Sequence, residues 1–392
     1  MSSEVPRKAC GKVALLRLPQ LALAWPPLGI FTITRASGMG SSSNAINLIA
    51  KEDAFQNTRL GRYSLHSAIR RIDPEHRTAS CLWCRVSTEK TVQVLLDVEY
   101  NRARYNNLRV CGRIWTCPFC SAKISEGRAV ELASAMAVAK NKGLRVALLT
   151  CTVPHVVQES LESLRKGLMK AWTGFTSDRV GKGIRAVLGL VGTIRNIEVT
   201  HGANGWHPHF HCLVFYKNDV DFVQIESEWS AHWQHCCVKV GLRRPSVEHG
   251  LTLQNGDYAA AYVSKWGLQH ELTKSMHKVG RNHGRTPFDI ARDFEKGLNK
   301  AKNGELWREF SAAFHNVRQL FWSANLKKML AVQEVTDEEL ALHESERPTR
   351  LSCELSGKEW EIVRKKHRAT LLRLAEHDPF AMPNFLDRLL SS

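Results

Sequence analysis

Apolar residues recur with period two in a few stretches of this chain and with the spacing of a helix in many others. "RVALLTCTV" (145–153) is apolar and β-branched, which predicts a strand. "GLVGTIRNIEVT" (189–200) and "WHPHFHCLVFY" (206–216) predict two more, joined by the turn "HGANG". A short Asn-Gly-containing turn between such runs predicts a hairpin. Helical spacing appears in "EGRAVELASAMAVAKNKG" (126–143), which ends at a glycine cap, and in "QESLESLRKGLMKAWTGFTS" (158–177). "VDFVQIESEWSAHWQHCCVKV" (220–240) predicts an amphipathic helix. "GDYAAAYVSKWG" (256–267) predicts another, capped by Asp257 or a neighbour and ended by Gly267. A basic loop, "TKSMHKVGRNHGRTPF", follows, and helices continue to about residue 333. The charged "EVTDEELALHESERPTR" reads as a linker, and "KEWEIVRKKHRATLLRLAEH" as one further helix. Helices alternating with antiparallel strands predict the α+β class.

Residues 1 to about 60 differ from the rest. "SGMGSSSN" is small and polar without periodicity, and there are no internal repeats. This region reads as a poorly ordered extension, or as the product of a start codon placed too early. Its apolar stretch "VALLRLPQLALAWPPLGIFTI" is broken by Arg17, Pro19, Pro26 and Pro27 and has no clear cleavage site. It predicts neither a membrane span nor a secretory signal. A cytoplasmic protein is the expectation.

The 392 residues, 43% hydrophobic and 24% charged, suffice for one large domain or two ordinary ones. A net charge of +17 points to a polyanionic partner, most often nucleic acid. Eleven cysteines, an odd number and clustered, favour metal binding or reduced thiols over a disulfide framework. "CLWC" supplies Cys81 and Cys84, and "CGRIWTCPFC" supplies Cys111, Cys117 and Cys120. Two such groups about thirty residues apart suit a structural zinc site, Zn²⁺ taking four thiolates in a tetrahedron. Five cysteines compete for four places.

His207, His209 and His211 stand at alternate positions, so all three point to one face of a strand. A lone histidine there would read as a satisfied polar group beside a cleft. With the hairpin centred near Ala203 or Asn204, Glu198 falls almost opposite His209. A carboxylate and two imidazoles on one face can hold Mg²⁺ or Mn²⁺ with open positions. Tyr258, Tyr262 and Lys265 share a helical face. A tyrosine hydroxyl can attack phosphorus, with Lys265 as a flanking cation. Taken alone, Tyr262 would read as a packing aromatic.

These residues together resemble the rolling-circle plasmid replication initiators of the HUH endonuclease superfamily. "LLTCTVPH" (148–155) resembles the first motif, "HPHFHCLVF" the metal-binding motif and "YVSKW" the motif with the catalytic tyrosine. The segment "CGRIWTCPFCSAKISEGR" resembles the zinc-binding segment before the first motif. The resemblance covers roughly residues 78–330 and implies a central antiparallel sheet flanked by helices, with the histidine strand in the middle. It implies Cys84, Cys111, Cys117 and Cys120 as zinc ligands, with Cys81 as the alternate. Along the chain the expected segmentation is a poorly ordered extension at 1–60, a zinc-binding segment at 78–125, an endonuclease domain at 126–333, a charged linker at 334–352 and a helical tail at 353–392. The implied activity is nicking of one strand of origin DNA by Tyr262, with host DNA polymerase and helicase as partners. His155 is a candidate for positioning substrate, and Lys274, Lys278, Arg281 and Arg285 for binding phosphates. Some branches carry a second tyrosine four residues after the first; this chain has Trp266 there. A second cleavage would then need Tyr258, a water activated by a carboxylate such as Asp257, or a second subunit. A transposase of the same superfamily, or a zinc-stabilised DNA-binding protein without catalysis, are the alternatives.

Overall fold

Two long strands, β4 (Leu190–Gly202) and β5 (Gly205–Tyr216), form the predicted hairpin and the spine of the protein. The computed structural model describes residues 58–264, 284–342 and 347–391. The basic-loop positions Lys274, Lys278 and Arg281, together with Lys265, Trp266 and the 1–57 segment, lie outside the described residues.

In chain order, α1 (58–72) precedes β1 (Val92–Asp97) and β2 (Arg102–Asn106). Then come α2 (Pro118–Asn141), β3 (Arg145–Cys151), α3 (Leu161–Ser177) and α4 (Arg179–Leu188), leading into the β4–β5 hairpin. After it follow α5 (Phe222–Lys239), α6 (Val247–Gly250), β6 (Leu251–Gln254) and α7 (Gly256–Ser264). The next stretch holds α8 (Pro287–Glu295), α9 (Lys300–Ala313), β7 (Leu320–Trp322), α10 (Leu326–Met329) and α11 (Asp337–Leu342). β8 (Thr349–Leu355), α12 (Gly357–Lys366), α13 (Arg368–His377) and α14 (Met382–Leu390) close the chain.

The larger sheet has the order β6-β3-β5-β4-β7 and is antiparallel, with β5 in the centre. Alternation along β5 divides its side chains between two faces. Phe210, Cys212, Val214 and Tyr216 join the core beneath α3 and α5. Leu213 and Phe215 join a second core with Leu132 and Ala135 of α2 and with Ala259 and Val263 of α7. His207, His209 and His211 occupy the first half of that second face, beyond its apolar part.

The smaller sheet, β2-β1-β8, brings the two ends of the described chain together. β8 pairs with β1 (Val92↔Leu355), and α12, α13 and α14 pack on the pair. The segment read as a linker, 334–352, therefore holds α11 and most of β8. Its charge suits an edge strand, whose outer side faces solvent. The tail is not one helix: the backbone leaves helical geometry at His367 (φ −114°, ψ 5°), dividing α12 from α13. α2 begins eight residues before the predicted start, because Cys117 caps it and Pro118 occupies its first turn. No helix of the described residues is long and apolar enough to cross a membrane.

A buried ion pair ties this unit to α1. Arg59 Nη1 and Nη2 donate to the Glu376 carboxylate at 2.8 and 2.6 Å, and Glu376 also accepts the Ala103 N–H of β2 at 2.7 Å. Removing one member of such a pair strands a buried charge and costs about 3–5 kcal/mol. Glu376→Ala should destabilise the protein by that amount in urea unfolding. A loss below about 1 kcal/mol would mean that the pair contributes little.

Candidate active site

The β4–β5 register places Glu198 directly opposite His209 and Asn196 opposite His211. β3 adds Thr150 opposite His211 on the other side. The Glu198 carboxylate stands 3.6 Å from His209 Nε2 and 3.7 Å from His211 Nε2. Ligand atoms of these three residues lie within 4.8 Å of one another. Sequence reasoning anticipated this trio, and the structure brings it together.

Groups behind the ligands fix their orientation. Thr150 Oγ1 lies 3.0 Å from His211 Nδ1, and the His207 carbonyl lies 3.2 Å from His209 Nδ1. Both rings therefore offer Nε2 to the space in front of Glu198. Asn196 Nδ2 donates to Glu198 Oε1 at 2.8 Å, while Oε2 faces the histidines. Such second contacts set tautomer and ring angle in metal-binding histidines. Burial lowers the His211 pKa; Glu198 opposes the effect and His209 adds to it. A neutral ring with a free lone pair is the form that binds a metal. The donor set of two imidazoles and a carboxylate fits a divalent ion with positions open to a phosphate oxygen.

His207 does not join this group. Its ring stacks between His155 (4.7 Å) and His209 (4.9 Å). Burial first, then His209, His155 and His211, pulls its pKa down to about 3. The row of rings links the first-motif residue His155 to the metal face, a contact that sequence spacing did not reveal.

α7 packs through Ala259 and Val263 against Leu148, Leu213 and Phe215 on this same sheet face. Tyr258 and Tyr262 belong to α7, which begins at Gly256 and carries Asp257 in its first turn. Arg285 is engaged elsewhere than in an open basic loop. It pairs with Asp293 at 2.7 Å, bonds Asn303 Oδ1 at 3.0 Å, and exchanges backbone hydrogen bonds with His201. These contacts fasten the chain after the basic segment to the hairpin end.

Four buried cysteines, Cys81, Cys111, Cys117 and Cys120, form the second group. Cys120 Sγ lies 3.7 Å from Cys81 Sγ and 3.6 Å from Cys111 Sγ. Four Zn–S bonds of about 2.3 Å in a tetrahedron put the sulfurs roughly 3.8 Å apart, so the spacing suits zinc. Hydrogen bonds from Cys111, Cys117 and Cys81 hold the Cys120 thiol well below its usual pKa. Cys84, expected as a ligand with Cys81 as its alternate, stands outside the group and is half-buried. The reason is local. Leu82 takes a left-handed backbone (φ 46°), and the following residues turn back so that Cys84 N–H bonds Ser80 O and Arg109 N–H bonds Cys84 O.

A third group was not anticipated. His232 Nε2 lies 3.1 Å from Asp178 Oδ1, and Cys236 Sγ lies 3.7 Å from the same nitrogen. Asp178 already caps α4 by accepting Gly181 N–H at 2.8 Å, so a buried histidine bonded to a helix cap accounts for the contact.

The chain belongs to the Replication protein family, whose model matches residues 102–367, more than half of the sequence. That span holds both strands of the hairpin, α7 and every cysteine of the second group except Cys81. Among curated proteins it is similar to Protein rep of Streptomyces lividans, 27% identical over 57% of this chain and 64% of the relative. It is also similar to a protein of Streptomyces cyanogenus named Neomycin resistance protein, 31% identical over 26% of this chain and 30% of that one. The chain thus spans less than two thirds of either relative's length. No solved structure matches it.

Two outcomes are expected. Cys81→Ser should remove bound zinc from the purified protein, whereas Cys84→Ser should keep it, as read by elemental analysis; equal loss in both would return Cys84 to the ligand set. Thr150→Val should weaken Mn²⁺ binding roughly 10–100-fold, the usual cost of losing a second contact to a metal-binding histidine. An unchanged affinity by calorimetry would show that Thr150 does not orient His211.

Proposed function

We propose that this replication protein initiates rolling-circle replication by nicking one strand of plasmid origin DNA in the manner of the HUH endonucleases. One observation carries the reading: Glu198, His209 and His211 converge on the same sheet face against whose apolar half α7, the helix of Tyr262, packs. Two groups of different chemistry, a metal-binding trio and a candidate nucleophile, thereby serve one face.

In this reading Glu198, His209 and His211 hold Mg²⁺ or Mn²⁺, and Cys81, Cys111, Cys117 and Cys120 hold a structural Zn²⁺. When bound, the divalent ion polarises the scissile phosphate and offsets its developing charge. Tyr262 attacks phosphorus through Oη, and the phenolic proton leaves. The P–O3′ bond breaks, and the departing oxygen takes up a proton as a free 3′-hydroxyl. The product is a 5′-phosphotyrosine and a primer end for host DNA polymerase, with a helicase opening the duplex. Lys265 contributes a cation beside the phosphate, and Tyr258, one turn earlier on the same helix, is the candidate tyrosine for a second cleavage. Lys274, Lys278 and Arg281 hold DNA phosphates, which position without specifying sequence. The net charge of +17 supports that partner and implies binding that weakens steeply with salt. A cytoplasmic site of action follows from a plasmid substrate.

The test uses labelled single-stranded origin DNA and Mn²⁺. Wild type should form a covalent protein–DNA species, absent with EDTA and absent in Tyr262→Phe. Glu198→Gln removes a ligand itself, so it should reduce the species by more than the roughly 100-fold that loss of an outer-shell contact costs at most. A species that persists in Tyr262→Phe would move the chemistry to another residue. No species on any candidate origin would favour a DNA-binding protein without catalysis.

A further inference from the structure

Arg195 lies on β4 in the row that faces the core beneath α3 and α5, the side of the sheet away from the histidines. It is 9% exposed. Among the described residues no carboxylate or carbonyl accepts a hydrogen bond from its guanidinium. That is unusual, since a buried charge is costly unless it is paired or hydrogen-bonded. Three rings surround it instead: the guanidinium carbon lies 4.6 Å from the Phe210 centroid, 5.2 Å from Phe321 and 5.4 Å from Trp172. These contacts offset part of the cost but use none of its five N–H donors. Burial correspondingly lowers its pKa.

The guanidinium is not sealed in. It lines a crevice of about 340 Å³ between α3, α4 and the β4–β7 edge. Trp172, Phe175, Trp229 and Phe321 form apolar walls, and Arg185 adds a second cation. Arg185 is exposed and spends one nitrogen on Thr176 O. The volume is at the lower end of ligand pockets, about 300–1,000 Å³. Flat aromatic walls select a planar ring, and a fork of unused donors selects a phosphate or carboxylate.

We infer that this crevice binds one nucleotide, its base against the aromatic walls and its phosphate on Arg195. The choice of a nucleotide over another aromatic anion rests on the reading of DNA as the partner. The source is either a free nucleotide or one unit of a single strand led across the back of the sheet. Arg195 is thus a binding residue separate from the nicking face.

The test is a titration of tryptophan fluorescence, since Trp172 and Trp229 line the crevice, with intact protein in EDTA. The probes are dAMP, deoxyadenosine, inorganic phosphate and a 5′-phosphorylated oligonucleotide of four adenylates. Saturable quenching by dAMP or the oligonucleotide is expected, weakened at least 10-fold in Arg195→Met and several-fold in Arg185→Gln. The second variant alters an exposed side chain and keeps the test open if the first fails to fold. Deoxyadenosine and phosphate alone should each bind at least 10-fold more weakly. Tighter binding of dAMP marks a free nucleotide as the source, and tighter binding of the oligonucleotide marks a strand. Three results would overturn the inference: no saturable change with either nucleotide probe, equal affinity in wild type and Arg185→Gln, or phosphate binding as tightly as dAMP. Because EDTA silences metal-dependent chemistry, failure here leaves the nicking reading intact. Conversely, nucleotide binding alongside a failed nicking assay leaves the crevice intact.

Discussion

The antiparallel register between β4 and β5 is the constraint on which the rest depends. Ten residues of β5 run against β4 without slippage from Gly202↔Gly205 to Thr193↔Val214. Side chains alternate across the sheet, so a shift of one residue would send His209 and His211 into the apolar core and Phe210 to the polar face. Gly205, at φ 87°, closes the turn in a backbone region that side chains disfavour, and a Cβ there would meet the Val157 backbone at 3.0 Å. The turn thus sets the register, the register sets the face, and the face brings Glu198 to the two histidines.

The sheet separates two tasks. Its helix-covered side under α3 and α5 is the larger core, built on Phe210, Trp233 and Trp307. The other side is apolar where α2 and α7 cover it and polar where Thr150, Asn196, Glu198 and the histidines stand. A rigid support of this kind keeps a metal site in place, since its ligands sit on central strands rather than loops. The cysteine group acts at a distance. It joins the start of α2, through Cys117 and Cys120, to the segment that follows α1, and it packs against Leu340 and Ala341 of α11. α2 then carries that anchoring to the sheet through Leu132 and Ala135.

The hairpin, the histidine pair and Glu198 were legible because their signal is local: period-two alternation and a turn with Asn204-Gly205. β1, β2 and β8 were not. "RARYN" and "TRLSCEL" are too polar to read as strands, and β8 becomes one only by pairing with β1, some 250 residues earlier. The choice between Cys81 and Cys84 turns on the left-handed Leu82, which spacing cannot convey. The break at His367 lies within an unbroken helical pattern and is set by packing on the smaller sheet. Arg195 interrupts an apolar row in β4, and only the closed sheet shows that nothing among the described residues pairs it.

The central claim is that Glu198, His209 and His211 form one metal site on the sheet face against which the tyrosine helix also packs. The most direct measurement is anomalous X-ray diffraction from crystals grown with Mn²⁺. The account predicts a manganese peak bounded by Glu198 Oε2, His209 Nε2 and His211 Nε2, with Tyr262 on the same side of the sheet. A well-ordered site without manganese there, or a peak held by other residues, would contradict it.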